Sequence, residues 1–280
     1  MKAEDIIVDA LIAASRTLGE ETEKLLREKG REEEGNGKVV MDAILSNLDY
    51  ARSLSIPLCQ DTGMLWCWIE VGAEARFDMA KLDKMLDRSA KKAFRKGLFR
   101  TSVVSDVMGE RKNTGNNMPI IKNYSLTDGS DIVLHFLLKG FGSENCSGVR
   151  MLNPTAGREG VVEAVLDVMA KAGAKPCPPV FLGVGVGGTM DKAALISKEA
   201  FFIRRKESSL EKEIRERINA QGSGPGGLGG RNTCMRVYLK EECTHIAGLP
   251  VAVTVNCWAE RKTEVVLKGG YDGEDADSAQ

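Results

Sequence analysis

Three short stretches place a cysteine among residues that stiffen a backbone or touch a ligand: PLCQDTG (57–63), KPCPPV (175–180) and VNCWAERK (255–262). Cys59, Cys177 and Cys257 each fall at an element boundary, and the prolines beside the first two would hold the chain in one shape around a metal-bound thiolate. Cys59 is followed directly by an amide and an acid, Gln60 and Asp61. Clusters of four irons ordinarily take four cysteine ligands, so three thiolates would leave one iron without a protein ligand. Such an open iron is a Lewis acid, able to hold a carboxylate or hydroxyl and assist the loss of water. The opposing reading is that free cysteine is among the most buried residue types and acts as a small hydrophobe. Residue types and spacing leave both open.

Other candidates separate more easily. His245, in ECTHIAGLPVAV, sits in a loop before a strand and is a candidate general acid or base. His135, inside IVLHFLLKG, reads as a core or sheet-face residue. LGVGVGGT (182–189) has glycines where a strand passes into a helix, with Gly183, Gly185 and Gly188 at GxGxxG spacing, but it sits late in the chain without a preceding βαβ context and has no Gly-Lys-Ser/Thr ending, which argues against nucleotide binding. The glycines of GPGGLGG (224–230) fit a mobile lid or a passive connector equally well. Cys67, Cys146, Cys234 and Cys243 carry no flanking pattern.

The elements that must position these residues alternate along the chain. Residues 3–28 have apolar positions at helical spacing, 31–38 reads as a polar loop, and a second helix is predicted over 39–54, ending before Pro57. MLWCWIEVG is a short strand, and 78–97 is an amphipathic helix stopped by Gly97. PIIKNYSL and DIVLHFLLKG are predicted strands joined across TDGS in hairpin fashion. A helix over 158–173, a strand in PPVFLGVGVGGT, helices over 190–202 and 207–220, and strands near 234–240 and 249–257 complete the pattern. The intermingling predicts a mixed α/β (α+β layered) fold in which mixed sheets are flanked by helices. No linker or internal repeat is visible, so the expectation is one large domain over 1–268 and an acidic, disordered tail over 269–280.

Bulk properties exclude several classes. With 39 basic and 40 acidic residues and 5% aromatics, there is neither the field nor the stacking surface for nucleic acid. No apolar run reaches the roughly 18–20 residues of a membrane span, and the first residues lack a signal-peptide core. The expectation is a cytoplasmic protein. Its seven scattered cysteines, an odd number, argue against a disulfide framework.

Eight motifs in one order now carry a resemblance: CQDTG, RKNTGNNMP, KGFGSENCS, MLNPTAGREGV, KPCPPVFLGVGVGGTMDKAAL, GPGGLGG, THIAGLPVAV and NCWAERK. Together they resemble the α subunit, or N-terminal half, of the iron–sulfur class I fumarate hydratase and L-tartrate dehydratase family, over about residues 5–268. The resemblance implies that Cys59, Cys177 and Cys257 ligate a [4Fe-4S] cluster with one open iron. It implies substrate contacts from Gln60, Asp61 and Arg100 and from the backbone at Gly142, with Asp61 and His245 handling a proton. Hydration of fumarate to (S)-malate, an oxygen-sensitive reaction of the tricarboxylic acid cycle, is the implied activity. The base for the C–H proton and further carboxylate-binding residues would come from a separate β subunit, the homologue of the C-terminal half in single-chain relatives.

The family motif usually reads GSENMS, and Cys146 stands here in place of its methionine. The GSEN and THIAGLPVAV patterns place the chain nearer to fumarases than to tartrate dehydratases. L-Tartrate dehydratase or a mesaconate-type hydratase subunit is the alternative within the family, and a silent cluster-binding scaffold is the alternative outside catalysis.

Overall fold

The apolar run MLWCWIEVG forms β1 (Met64–Gly72), whose Leu65, Trp66, Cys67 and Ile69 are all buried. A strand covered on both faces belongs at the centre of a sheet, and β1 takes that place. β2 (Ile121–Thr127) runs parallel to β1 on one side, β3 (Ile132–Lys139) antiparallel on the other, and β8 (Lys262–Leu267) pairs with β3, giving the order β2-β1-β3-β8. Helices α1 (Ala3–Arg16) and α4 (Met79–Lys96) pack Ile7, Leu11, Leu82, Leu86 and Phe94 onto a core with Leu65, Ile69, Leu134 and Phe136. Each such aliphatic side chain contributes roughly 1.5–3 kcal/mol by leaving water. The N-terminus of α4 is capped by Asp78, which accepts from the N–H groups of Ala80 and Lys81.

The link between β2 and β3 is not the predicted hairpin. The two strands lie on opposite sides of β1, so TDGS arches over the end of the central strand. Gly72 donates its N–H to Asp131 O at 2.9 Å, and Ala73 donates to Thr127 O at 2.8 Å. A Cβ on Gly72 would lie 2.4 Å from Gly129 O, so the strand ends on a glycine. Burial decides the order: β1 is apolar on both faces, whereas β2 carries Lys122, Asn123 and Tyr124 and suits an edge.

Contacts divide the chain into two units, each assembled from separate stretches. The first comprises Met1–Gly19, Leu48–Lys139 and Arg261–Gln280; the second comprises Glu20–Asn47 and Gly140–Glu260. Because the chain passes back and forth between them, no single linker marks the division in the sequence. This computed structural model describes residues 2–269, so the tail expected at 269–280 lies, beyond Gly269, outside the described residues.

The second unit has its own sheet, β4 (Gly148–Leu152), β7 (Leu249–Asn256), β5 (Val180–Gly188) and β6 (Cys234–Thr244), in that order. Helices α6 (Gly157–Ala172), α7 (Met190–Glu199) and α8 (Ser209–Asn219) belong to it, as do α2 (Glu20–Gly30) and the short α5 (Phe141–Glu144). Its core joins Val162, Val165, Leu182, Val184, Ile214 and Val253. α8 opens with a capping box in which Ser208 and Glu211 satisfy each other's backbone N–H.

The topology repeats that of the first unit although the sequence shows no repeat. A central strand (β5) pairs with a parallel strand (β6) reached through helices. The link from β6 arches over the end of β5 to an antiparallel strand (β7), and an outer antiparallel strand (β4) completes the sheet.

The LGVGVGG glycines are packing devices. A Cβ on Gly183 would lie 1.9 Å from Ser197 O and one on Gly185 2.1 Å from Ala193 O, so α7 sits directly on the backbone of β5. One on Gly187 would meet the O of its β6 partner Glu242 at 2.0 Å.

Five further elements differ from the sequence expectation. The helical stretch over 3–28 breaks at Thr17, which is extended (φ −137°, ψ 151°), before α2. The loop read over 31–38 is shorter, because α3 (Gly35–Leu54) already begins inside it. β4, β8 and α5 were not anticipated; their sequences are short, polar or broken by glycine.

Gly183→Ala should force α7 off the sheet and lower stability by roughly 1–3 kcal/mol. Gly19→Ala, with nothing within 4 Å of the added carbon, should stay within about 0.5 kcal/mol. Urea unfolding of the two variants checks this, and equal midpoints would contradict the packing role.

Candidate functional site

In the first unit, the loop from α3 into β1 carries Cys59, Gln60 and Asp61. Leu58 is buried and anchors the loop by donating its N–H to Ser15 O at 2.8 Å. The N–H of Asp61 donates to Cys59 Sγ at 3.4 Å. One carboxylate oxygen of Asp61 accepts from Gly63 N–H at 2.8 Å, and Gly63 takes φ +70°, so the acid is fixed against its own loop. Cys59 and Asp61 are half-buried and Gln60 is exposed.

Arg100 lies on the exposed loop that follows α4. Its position is set by Asn117, which is 1% exposed and adopts φ +56°. The Asn117 amide donates to Arg100 O at 2.9 Å, while its Oδ1 accepts from Ser102 N–H at 2.6 Å. Asn117 stands just before β2, and β2 runs parallel to β1 with Trp66 opposite Ile121. The Cys59–Asp61 loop and the Arg100 loop therefore meet the sheet at the same end, where β1 begins.

The second unit has the same arrangement. Cys177 lies on the loop into β5 and Cys257 directly after β7; these strands are antiparallel with Phe181 opposite Asn256, which sets both cysteines at one end of the sheet. Cys177 is exposed at φ +54°, a left-handed conformation that costs an ordinary side chain about 1–2 kcal/mol, between buried Pro176, Pro178 and Pro179. Strain of this kind persists where the surroundings impose it, often at functional positions.

The glycine loop does the imposing and is no loose lid. Gly226 donates to Pro178 O at 2.8 Å. Glu33, 3% exposed, accepts from the N–H groups of Arg231 and Asn232, the latter at 2.7 Å, and from the Asn232 side chain. Gly142, in the first turn of α5, sits at this same end: a Cβ there would lie 3.9 Å from Lys175 O, two residues before Cys177. After Cys257, the segment is anchored by buried Glu260, which accepts from Thr22 Oγ1 at 2.7 Å.

His245 is elsewhere. It begins the arch from β6 to β7, beyond the opposite end of the same strands. It is exposed, and Ala247 N–H donates to its Nδ1 at 3.2 Å. In the neutral ring that bond assigns the proton to Nε2. The unit thus brings together Cys177, Cys257 and Gly142, and holds His245 apart from them.

The remaining thiols sort by burial. Cys67 and Cys234 lie inside strands, where burial pushes their thiols far up and keeps them protonated. Cys146 packs against the second core, with its Sγ 3.4 Å from Gly142 O, which suits the place of an apolar methionine. Cys243 is exposed beside His245. His135 is a buried sheet-face residue, stacked on Trp68 at 4.5 Å between Glu70 (2.7 Å) and Glu264 (3.1 Å).

Asn117 and Glu33 were not singled out as site residues, although RKNTGNNMP and the acidic run REEEG contain them. Asn256, 1% exposed beside Cys257, has neither amide atom hydrogen-bonded.

Among the described residues, no three His, Cys, Asp or Glu side chains stand grouped as around a single metal ion. Thiolates on different irons of a cluster are held apart by the cluster itself, so donor type and accessibility are the relevant test. Exposed Cys177 and half-buried Cys59 and Cys257 offer thiol donors on pinned loops, the donor type such a cluster takes.

A family model described as Fumarate hydratase (Fumerase) matches residues 4–266. A Methanocaldococcus jannaschii protein named "Putative L(+)-tartrate dehydratase subunit alpha" is 35% identical over 275 residues, covering 94% of this chain and 96% of that protein. The L(+)-tartrate dehydratase subunit alpha of Escherichia coli O157:H7 is 30% identical over 255 residues, with 88% and 84% covered. Its namesake in E. coli strain UTI89 is 30% identical over 250 residues, with 86% and 82% covered.

The left-handed turn at Cys177 predicts a stability difference in metal-free protein. Glycine relieves a penalty of about 1–2 kcal/mol and forfeits about 0.4–1 kcal/mol through the unfolded chain. Cys177→Gly should therefore be more stable than Cys177→Ala by about 0.5–1 kcal/mol. Chemical denaturation of the pair tests it, and an alanine variant at least as stable would remove the strain argument.

Proposed function

The chain belongs to the fumarate hydratase (Fumerase) family and is a hydro-lyase, and we propose that it is the α subunit of an iron–sulfur enzyme interconverting fumarate and (S)-malate with a separate β subunit. The observation that carries this reading is the placement of Cys177, Cys257 and Gly142 at one end of the second sheet, on loops fixed by prolines, Glu33 and Glu260. The α-subunit assignment is supported by relatives of nearly equal length that bear that name. The reaction compartment is the cytoplasm; no helix among the described residues is long and apolar enough to cross a membrane.

Cys59, Cys177 and Cys257 would hold a [4Fe-4S] cluster, which when bound leaves one iron open as a Lewis acid toward a carboxylate and the departing hydroxyl. The chain's own residues do the rest. Arg100 grips the other carboxylate through a forked pair of charged hydrogen bonds. Gln60 donates from its amide, and Gly142 offers a backbone N–H from a helix turn where that group has no intrahelical partner. Asp61, oriented by Gly63, delivers the proton to the leaving oxygen; His245, the proton-handling partner that the resemblance implies, stands at the other end of β7 from Cys257 and takes no step in the same chain's site. The β subunit supplies the base for the C–H proton.

A second substrate is favoured by a specific observation: the relatives at 35% and 30% identity carry the name L(+)-tartrate dehydratase. The αβ complex, prepared without air and assayed on malate, fumarate and L-tartrate, should turn over the malate–fumarate pair fastest. Tartrate turnover exceeding it would transfer the assignment to the second reading.

Cys59→Ser, Cys177→Ser and Cys257→Ser should each lose iron, while Cys67→Ser and Cys234→Ser should keep it, measured as iron per chain. Iron retained in the first three would sink the ligand assignment. Asp61→Asn should keep iron yet lose activity by roughly 10²–10⁴-fold.

A further inference from the structure

Strand β7 delivers a polar side chain to the end of the sheet where Cys177 and Cys257 stand. Val251, Val253 and Val255 join the second core, so Thr254 and Asn256 point to the opposite face of the sheet. Thr254 Oγ1 shares a hydrogen bond of 2.6 Å with Ser197 Oγ of α7. Asn256 ends the strand, lies opposite Phe181 and directly precedes Cys257.

Its amide is an exception among the buried ones. Asn117 and Asn232 are buried as well, and both are engaged, the first by Arg100 O and the N–H of Ser102, the second by Glu33. Asn256 is 1% exposed, yet among the described residues neither its Nδ2 nor its Oδ1 has a hydrogen-bond partner. A side-chain amide carries two donors and an acceptor. Leaving them unmet away from water is far less favourable than placing a leucine of similar size there. That penalty falls one residue from a proposed ligand, where a bound group would supply what the chain does not. The sulfurs of an iron–sulfur cluster are anionic acceptors, and N–H donors aimed at them are among the contacts that set its potential.

We propose that Asn256 is a cluster-contact residue whose Nδ2–H donates to a sulfur of the cluster bound at Cys257. This rests on the hydro-lyase reading above, in which Cys257 ligates iron. Reduction places more negative charge on the sulfurs and strengthens the bond, so the donor favours the reduced cluster and raises its potential.

Two measurements test it without turnover. The αβ complexes carrying Asn256→Leu or the more adaptable Asn256→Met, loaded with iron and sulfide in the absence of air, should keep the wild-type iron per chain. Titrated with dithionite and followed by the electron paramagnetic resonance of the reduced cluster, they should be about tenfold less reduced at a given potential, a midpoint lower by about 59 mV for one electron. Thr254→Val, on the same face of β7, should leave the midpoint where it is. Unmoved midpoints in the Asn256 variants, or an equal shift in Thr254→Val, overturn the proposal.

The second measurement uses the metal-free chain, where the amide stays orphaned. There the more stable of the two Asn256 variants should unfold at a higher urea concentration than wild type. Earlier unfolding of both would mean that the amide is satisfied without the cluster, and overturns the assignment. A wild-type complex that takes up no iron overturns the iron–sulfur reading and this assignment with it, whereas iron retained with an unmoved midpoint overturns the assignment alone.

Discussion

The antiparallel pairing of β5 with β7, with Phe181 opposite Asn256, is the constraint from which the chemistry of the second unit follows. A strand residue can neither shift by one nor tilt without turning its buried side chains toward water. Val180, Leu182 and Val184 on β5 and Val251, Val253 and Val255 on β7 are all buried, so the register is locked by apolar packing. Once it is locked, Cys177 and Cys257 leave the sheet together, and the arch at the other end is carried away with His245. A hydrophobic pattern thereby decides which polar groups can meet.

The first unit obeys the same rule with different residues. There β1 is central, its neighbours β2 and β3 are joined by an arch, and the loop entering β1 bears Cys59 as the loop entering β5 bears Cys177. In both, glycine near the end of the central strand answers a backbone too close for a Cβ, Gly72 beneath Gly129 of the arch and Gly187 against Glu242 of the neighbouring β6. In both, the proposed ligand cysteines sit at the entry end, where loops are held by one buried polar side chain. Asn117 does this in one unit and Glu33 in the other, each satisfying several backbone groups that the irregular chain would otherwise leave unpaired.

Local pattern was legible where it depended on local physics. The amphipathic spacing of 78–97, the stop at Gly97 and the short β-rich run MLWCWIEVG all became the predicted elements. Pairing was not legible, because it depends on which strand has the most apolar surface to hide: TDGS looks like a hairpin turn until β1 claims the place between its flanking strands. The topological repeat was invisible for the same reason, since it lies in connections and not in residue types. The family could be read from ordered motifs, and the match over residues 4–266 agrees. Asn117 and Glu33 escaped notice because their work is done through buried amide and carboxylate contacts to distant backbone, which a polar run does not announce.

The thiols show why sequence reading stalled between a ligand and a hydrophobe. Cysteine serves both purposes, and what separates them is whether the sulfur can afford to be charged. Inside β1 and at the start of β6, Cys67 and Cys234 are stripped of water, and burial holds the proton on. At Cys59 a backbone N–H faces the sulfur, and at Cys177 a left-handed turn framed by buried prolines presents the thiol outward. A thiol meant only to fill space has no use for a strained backbone, since any small apolar residue in a relaxed conformation fills space more cheaply. The strain at Cys177 is intelligible when its sulfur must point at something that the chain itself does not contain.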